Sequence, residues 1–225
     1  MTRVLDVILS LSAILFLSPV LLLIAIILRF TGEGEVFYSQ TRVGRNQKGF
    51  SLLKFATMLK NSPNIGTGTI TIKNDPRVLP FGKFLRRTKL NELPQLFNVL
   101  MGAMSLIGPR PQAKRNFDFF PAETRSLIAS VRPGLSGIGS IVFSNEEDIL
   151  DHVQNKDFYV NVVMPYKAKL ELFYVENNDL KMYVKLIIST CVGLLLGKNY
   201  LSTLYPNLPK PPNQLIKYLI NFENS

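Results

Sequence analysis

The chain has 225 residues, of which 47% are hydrophobic, so it is too apolar for a disordered protein and long enough for one globular domain with an additional segment. One cysteine, Cys191, and one histidine, His152, exclude an intrachain disulfide, a structural zinc site and a histidine-assisted nucleophile. The net charge of +10 is local, because residues 42–89 hold eleven basic residues and one acid, Asp75, which predicts an anionic partner for that segment.

The N-terminal segment Val7–Leu28 contains 22 residues without a charge. As a straight helix it would be about 33 Å long at ~1.5 Å per residue, which matches a hydrocarbon core of ~30 Å. The run exceeds the ~7 to 15 apolar residues of a signal peptide, and no small-residue cleavage site follows it. The sequence therefore predicts a membrane helix.

The centre of this helix carries Ser18 and Pro19. Proline removes a backbone hydrogen bond and kinks a helix, so the segment either spans the membrane or returns to the face from which it started. The basic remainder of the chain favours a cytoplasmic location for everything after the helix.

The rest of the chain predicts an α+β fold that is predominantly helical. Residues 35–59 contain two β-branched and aromatic runs joined by the turn-rich sequence GRNQKG, which predicts a β-hairpin. Helices are predicted over residues 81–88, 90–100, 118–131, 145–177 and 182–196, the second beginning near Asn91 and the fourth interrupted near Pro165. The predicted organisation is a membrane helix (residues 1–30), a domain (31–197) and a C-terminal tail (198–225) that lies on a membrane or packs on the domain.

Two carboxylates, Asp75 and Glu92, stand alone among the cations between Val36 and Phe117. A carboxylate in such surroundings stays ionised and can hold a divalent metal, as in phosphate chemistry. Glu92 is the stronger candidate because it falls in the first turn of a predicted helix, where free N–H groups and the helix dipole favour anions. The alternative is that Glu92 only caps that helix.

Arg110 lies between two prolines in the sequence GPRP. A guanidinium held by so rigid a segment suits bidentate phosphate recognition, although a surface turn with an incidental arginine has the same pattern. The same two interpretations, phosphate binding or simple solvation, apply to four further cations: Arg42, Lys54, Arg86 and Arg87. Nucleic-acid binding by the basic segment is disfavoured because no nucleic-acid motif accompanies it.

A set of motifs in fixed order resembles the bacterial sugar transferase family, the monotopic polyprenyl-phosphate phosphoglycosyl transferases. The resemblance covers roughly residues 4–188, and no single motif would suffice for it. The motifs are the Ser18-Pro19 helix break, VFYSQTRVG (36–44), LLKFATM (52–58), NDPRVLPFGKFLRRTKLNELPQLFNVL (74–100), MSLIGPRP (104–111) and VRPGLSGIGS (131–140).

The resemblance implies transfer of a sugar-1-phosphate from a UDP-sugar to a polyprenyl phosphate, with release of UMP, as the first membrane step of exopolysaccharide, O-antigen or capsule assembly. It also implies that the membrane helix bends at Ser18 and Pro19 and re-enters the same leaflet, which leaves a small domain on the cytoplasmic face of the bacterial inner membrane. The implied cofactor is Mg²⁺, bound with the help of Glu92, while Arg110 contacts phosphate. The implied partners are the UDP-sugar, the polyprenyl phosphate and membrane lipid; homo-oligomerisation stays open, and no nucleic acid is expected.

The chain departs from the family pattern at Asn91, where the family has an aspartate that acts as the phosphoryl-accepting nucleophile, and at Ala103, where an acid is often found. Asn91 has no anionic oxygen and cannot form an aspartyl phosphate. Three interpretations stay open: Glu92 is the nucleophile, Glu92 and Mg²⁺ support direct attack by the lipid phosphate, or the protein is catalytically impaired. The last predicts a membrane-tethered binding or scaffold protein that binds nucleotide-sugars without turnover.

Overall fold

A computed structural model of the chain describes residues 2–65, 75–144, 146, 149, 156–196, 201–216 and 218–219. This part of the chain is mostly helical and contains two small two-stranded sheets, which confirms the predominantly helical α+β prediction. The strands are β1 (Phe37–Val43), β2 (Gly49–Phe55), β3 (Ser105–Ile107) and β4 (Gly134–Ser136). The helices are α1 (Thr2–Arg29), α2 (Pro80–Arg87), α3 (Gln95–Met101), α4 (Lys114–Phe117), α5 (Ala122–Ile128), α6 (Ile138–Val142), α7 (Lys156–Phe158), α8 (Met164–Asn177), α9 (Leu180–Leu196), α10 (Leu201–Leu204) and α11 (Asn213–Ile216).

Helix α1 is the one helix in the described part of the chain that is long and apolar enough to cross a membrane. The helix continues through Ser18 and Pro19 without interruption. Pro19 has no N–H to donate to the carbonyl of Leu15, four residues earlier, and the Ser18 hydroxyl donates to that carbonyl instead at 2.8 Å. The Ser-Pro pair therefore leaves no unpaired carbonyl at this point of an apolar helix.

The predicted hairpin is confirmed by the antiparallel pairing of β1 and β2. Arg42 lies opposite Phe50, and Lys54 lies opposite Tyr38. Because side chains alternate between the two faces of a strand and directly opposed residues share a face, Arg42 and Lys54 project from the same face of the hairpin.

Asp75 does not belong to a cation-binding cluster, because a neighbouring arginine holds it. The Arg77 guanidinium donates to Asp75 Oδ2 at 2.6 Å and to the carbonyl oxygens of Ser62 and Ile65 at 2.8 Å. Both side chains of the pair are almost fully buried. Asp75 and Arg77 thus fasten the chain before α2, and of the two predicted carboxylates Glu92 is the one that contacts the hairpin.

The segment after α2 differs from the predicted helix over residues 90–100. Lys89 adopts a left-handed conformation, with φ of 59°, and a separate 3₁₀ turn covers Leu90–Glu92. Helix α3 begins only at Gln95, because Pro94 has no N–H with which to continue the hydrogen bonding of the turn. Glu92 therefore lies on its own turn and not in the first turn of an α-helix, which corrects the prediction.

The C-terminal half forms the main hydrophobic core. Strand β3 pairs in parallel with β4, and α7 leads into α8 through a π-helical turn, Tyr159–Val163, immediately before Pro165, where an interruption was predicted. The predicted N-terminal part of that helix, residues 145–155, lies largely outside the described residues. The described part of the C-terminal tail packs into the core through Leu201, Leu208, Leu215 and Leu219.

Candidate active site

Three elements meet at the carboxylate of Glu92: the hairpin, the 3₁₀ turn and the segment after β3. Glu92 Oε1 accepts a hydrogen bond from Lys54 Nζ at 2.9 Å and one from Arg110 Nη2 at 3.4 Å. The Glu92 side chain retains 19% exposure, so it is accessible from solvent. Three residues that are distant in sequence and were predicted as site residues are therefore brought into direct contact.

The charges of this cluster are mutually stabilised. Burial opposes ionisation of Glu92, but the positive charges of Lys54 and Arg110 outweigh it and hold the Glu92 pKa well below its usual range. Glu92 in turn raises the pKa of Arg110. Burial lowers the pKa of Lys54, and the Glu92 charge opposes that shift. Glu92 is therefore an anion throughout the physiological pH range.

Arg42 brings a second guanidinium, besides that of Arg110, into the neighbourhood of Glu92, from the hairpin face that also carries Lys54. Its Nη2 donates to Gln40 Oε1 at 2.6 Å, while its Nε is buried and has no hydrogen-bond partner in the described part of the chain. Burial and the nearby charge of Arg110 lower the pKa of Arg42. Three cations thus surround the single carboxylate of Glu92, and a donor is left for an additional anion.

Asn91 lies next to Glu92 on the 3₁₀ turn and is only 6% exposed. Its Oδ1 is buried without a hydrogen-bond partner among the described residues. Buried polar atoms are nearly always paired in proteins, so the unpaired amide oxygen of Asn91 is an unusual feature of this turn.

The Glu92 carboxylate is the kind of ligand that a magnesium ion takes in phosphate chemistry. Mg²⁺ prefers oxygen ligands and is usually held by one or two carboxylates together with water and substrate phosphates. No group of three or more His, Cys, Asp or Glu side chains in the described part of the chain could hold a metal ion alone. A cation here would therefore take the Glu92 carboxylate together with water and substrate phosphate oxygens.

A second layer of charged residues lies behind Arg110 and was not predicted from the sequence. Glu171 Oε1, on α8, accepts the backbone N–H of Arg110 at 3.2 Å. Glu146 Oε1 accepts hydrogen bonds from Lys167 Nζ at 2.7 Å and from the Tyr159 hydroxyl at 3.0 Å. Lys167 and Glu171 are four residues apart on one face of α8, but this spacing is more common in exposed ion pairs and does not reveal a buried site.

Gly139 leaves the space that Glu171 occupies. A Cβ at this position would lie 2.3 Å from Glu171 Oε1, so a larger residue in α6 would displace the carboxylate from the Arg110 backbone. The close approach of α6 to α8 thus supports the position of the GPRP segment.

Glu171 should make the stability of the protein pH-dependent. Burial raises its pKa from 4.5 to about 7, so the folded state retains a proton that the unfolded chain loses between these pH values. Stability should consequently fall as pH rises through that window, by up to roughly 3 kcal/mol. Thermal unfolding in detergent should show this decline in the wild type, whereas Glu171→Gln should show a flatter profile between pH 4.5 and 7. Parallel profiles for the two proteins would contradict the assignment to Glu171.

Arg86 and Arg87, two other predicted phosphate-binding residues, lie at the end of α2 and make no described contact with Glu92. The Arg86 guanidinium approaches Met58 Sδ at 3.9 Å. Arg87 is exposed, and no hydrogen bond or ion pair within the described residues engages it. Their role in phosphate binding stays a prediction.

The chain is similar to known proteins over most of its length. The family model described as bacterial sugar transferase matches residues 1–197. The exopolysaccharide production protein PSS of Rhizobium leguminosarum bv. phaseoli is 34% identical over 209 residues, which cover 88% of this chain and 97% of PSS. ExoY, an exopolysaccharide production protein of Rhizobium meliloti, is 32% identical over 187 residues, or 74% of this chain and 82% of ExoY.

A longer relative is named for its reaction. The UDP-glucose:undecaprenyl-phosphate glucose-1-phosphate transferase of Klebsiella pneumoniae is 34% identical over 206 residues. The match covers 88% of this chain but 40% of the relative. The chain therefore corresponds to nearly the whole of PSS and to less than half of the Klebsiella protein.

Proposed function

We propose that this chain, which belongs to the bacterial sugar transferase family, transfers a sugar-1-phosphate from a UDP-sugar to a polyprenyl phosphate at a membrane surface. The observation that carries the proposal is the contact of Glu92 with Lys54 and Arg110, beside the unpaired Nε of Arg42. Such a cluster has the charge needed to bind a diphosphate and an acceptor phosphate together. The names of the relatives support this substrate class and a role in the assembly of a surface polysaccharide.

A re-entrant position of α1 on the cytoplasmic face is part of this proposal. Near its N-terminus, Arg3 hydrogen-bonds to α3, and near its C-terminus, Leu28 packs with Phe55 and Leu85. A straight helix of 28 residues would be about 42 Å long, longer than the ~30 Å hydrocarbon core. A helix that crossed the bilayer would place its two ends on opposite sides, so contacts of both ends with one domain support a helix that enters and leaves the same face.

We infer direct transfer between the two substrates, without a covalent enzyme intermediate. Asn91 has no anionic oxygen, and the strongly lowered pKa of Glu92 makes its carboxylate a weakly basic, poor nucleophile. Glu92 is also occupied by Lys54 and Arg110, so its better-supported role is to orient these cations and to bind Mg²⁺.

In this mechanism, an oxygen of the polyprenyl phosphate attacks the β-phosphorus of the UDP-sugar. The bond from that phosphorus to the bridging oxygen breaks, and UMP leaves with the bridging oxygen and its electron pair. Arg110, Arg42 and Lys54 stabilise charge on the phosphoryl oxygens as the bond order changes, and they hold the two phosphates in line. Bound Mg²⁺ would supply further neutralisation of the phosphate charge.

The reaction is tested by supplying polyprenyl phosphate and a panel of UDP-sugars labelled in the sugar. Membrane-reconstituted protein should transfer label to an organic-extractable lipid and release an equal amount of UMP with at least one sugar. Mg²⁺-dependent binding of UDP-sugars without label transfer for any of them would instead support the binding or scaffold protein.

Replacement of Asn91 by aspartate should create the covalent route that the wild type lacks. Asn91→Asp would supply a carboxylate at the position where the family has its nucleophile, and this carboxylate could accept the sugar phosphate, so UMP should be released without lipid, up to one molecule per chain. The wild type and Asn91→Gln should release none under these conditions. A wild-type burst with acid-sensitive label on Glu92 would show that Glu92 is the nucleophile and would overturn direct transfer.

A further inference from the structure

The first turns of α1 carry two charged residues that face the protein and not the membrane. Asp6 is 2% exposed, although it precedes a long apolar segment. Arg3 also directs its guanidinium toward the domain. Charged groups that face inward on a membrane helix usually have a specific partner. Asp6 and Arg3 each have partners on elements next to the candidate active site, β3 and α3.

Asp6 holds the strand that precedes the GPRP segment. Its Oδ1 accepts the Ser105 hydroxyl at 2.9 Å, the backbone N–H of Leu106 at 2.8 Å and the Tyr183 hydroxyl at 2.6 Å. Ser105 and Leu106 belong to β3, which ends three residues before Arg110. One carboxylate oxygen from α1 therefore fixes β3 against α9.

Arg3 holds the end of α3, the helix that follows the Glu92 turn. Its Nη1 donates to the carbonyl of Val99 at 2.6 Å and its Nη2 to the carbonyl of Leu100 at 2.8 Å. These carbonyls lie in the last turn of α3, where a positive charge is favourable to the helix dipole.

We propose that Asp6 and Arg3 are positioning residues for phosphate transfer, because they dock the start of the membrane helix onto β3, which ends shortly before Arg110, and onto α3, which follows the Glu92 turn. The expected effect on turnover rests on the proposed function, whereas the docking contacts of Asp6 and Arg3 are independent of it. Neither residue touches the reacting phosphates. Their effect arises because β3 and α3 set the separation of the Arg110 guanidinium from the Glu92 carboxylate, now 3.4 Å.

The experiment compares Asp6→Ala and Asp6→Asn with the wild type in the full-length, reconstituted protein. For Asp6→Ala we expect a fall in kcat of about tenfold or more, with little change in KM for the UDP-sugar, because small misplacements of catalytic groups are costly. The amide oxygen of Asp6→Asn can still accept the Leu106 N–H, so this variant should recover most of the lost kcat. Hydrogen exchange at residues 104–110 should be faster in Asp6→Ala and close to wild type in Asp6→Asn.

A matched pair of serine variants provides the control. Ser105→Ala removes a donor to Asp6, whereas Ser10→Ala removes a buried hydroxyl of α1 whose one hydrogen bond among the described residues is to the Val7 carbonyl of its own helix. Ser105→Ala should lower kcat and raise exchange in residues 104–110, and Ser10→Ala should do neither. This pair decides the question should Asp6→Ala fail to fold. Identical exchange at residues 104–110 in Ser105→Ala and Ser10→Ala would overturn the proposal, even if the wild type proved to have no transferase activity.

Discussion

Replacement of Glu92 by glutamine is expected to reduce transfer by about 10²–10³-fold, the usual cost of losing a preorganised electrostatic group. The Glu92→Gln variant would retain the size of the side chain but leave Lys54 and Arg110 without the anion that they share. The two cations would then repel each other, and the Mg²⁺ ligand would lose its charge. The measurement is the initial rate of lipid-linked product at saturating substrates and Mg²⁺.

The control for this variant is Glu123→Gln, a change of the same chemistry at an exposed position in the first turn of α5. It should leave the rate within about twofold of wild type, since surface substitutions of this kind have small effects. Comparable rates for Glu92→Gln and Glu123→Gln would show that Glu92 takes no part in the reaction.

Loss of the Arg110 guanidinium is expected to have an effect of similar size. Arg110→Gln should lower kcat by about 10²–10³-fold, because the side chain would no longer stabilise charge on the transferring phosphoryl group. Arg110→Lys restores the charge but not the planar fork, so it should remain at least about tenfold below wild type. Rates and UDP-sugar affinities of both variants test this expectation.

Arg115→Gln is the matched control, because Arg115 is an exposed arginine five residues further along the chain. If Arg110 were only the arginine of a surface turn, Arg110→Gln and Arg115→Gln would have similar activity. A full return of activity in Arg110→Lys would limit the role of Arg110 to that of a point charge.

The sequence predicts the membrane helix and the hairpin well because both depend on local patterns. An uncharged run and two strands with a turn between them are visible in consecutive residues. The Glu92 turn was predicted as part of an α-helix because the apolar spacing from Leu93 onward is helical. Two features end the turn before α3. Lys89 has a left-handed backbone conformation, which a lysine in the sequence does not predict, and Pro94 is compatible with a helix that begins on either side of it.

The sequence predicts which residues belong to the candidate site, but not how they contact one another. The isolated acid Glu92 and the arginine between prolines, Arg110, are visible in the sequence, but their direct contact depends on tertiary packing. Glu171 was missed because α8 has charged residues on several faces, and only packing against Gly139 and the Arg110 backbone makes this one a buried partner. Asp6 was missed for a similar reason, since its partners are about 100 and 177 residues away in sequence.

Direct sugar-1-phosphate transfer by a chain with Asn91 at the family's nucleophile position is tested most directly by measuring UMP release with and without polyprenyl phosphate. Wild-type protein, Mg²⁺ and the preferred UDP-sugar should yield repeated turnover to UMP when polyprenyl phosphate is present and no UMP, not even one molecule per chain, when it is absent. A burst of UMP without the lipid, or no UMP with any UDP-sugar in its presence, would contradict the account.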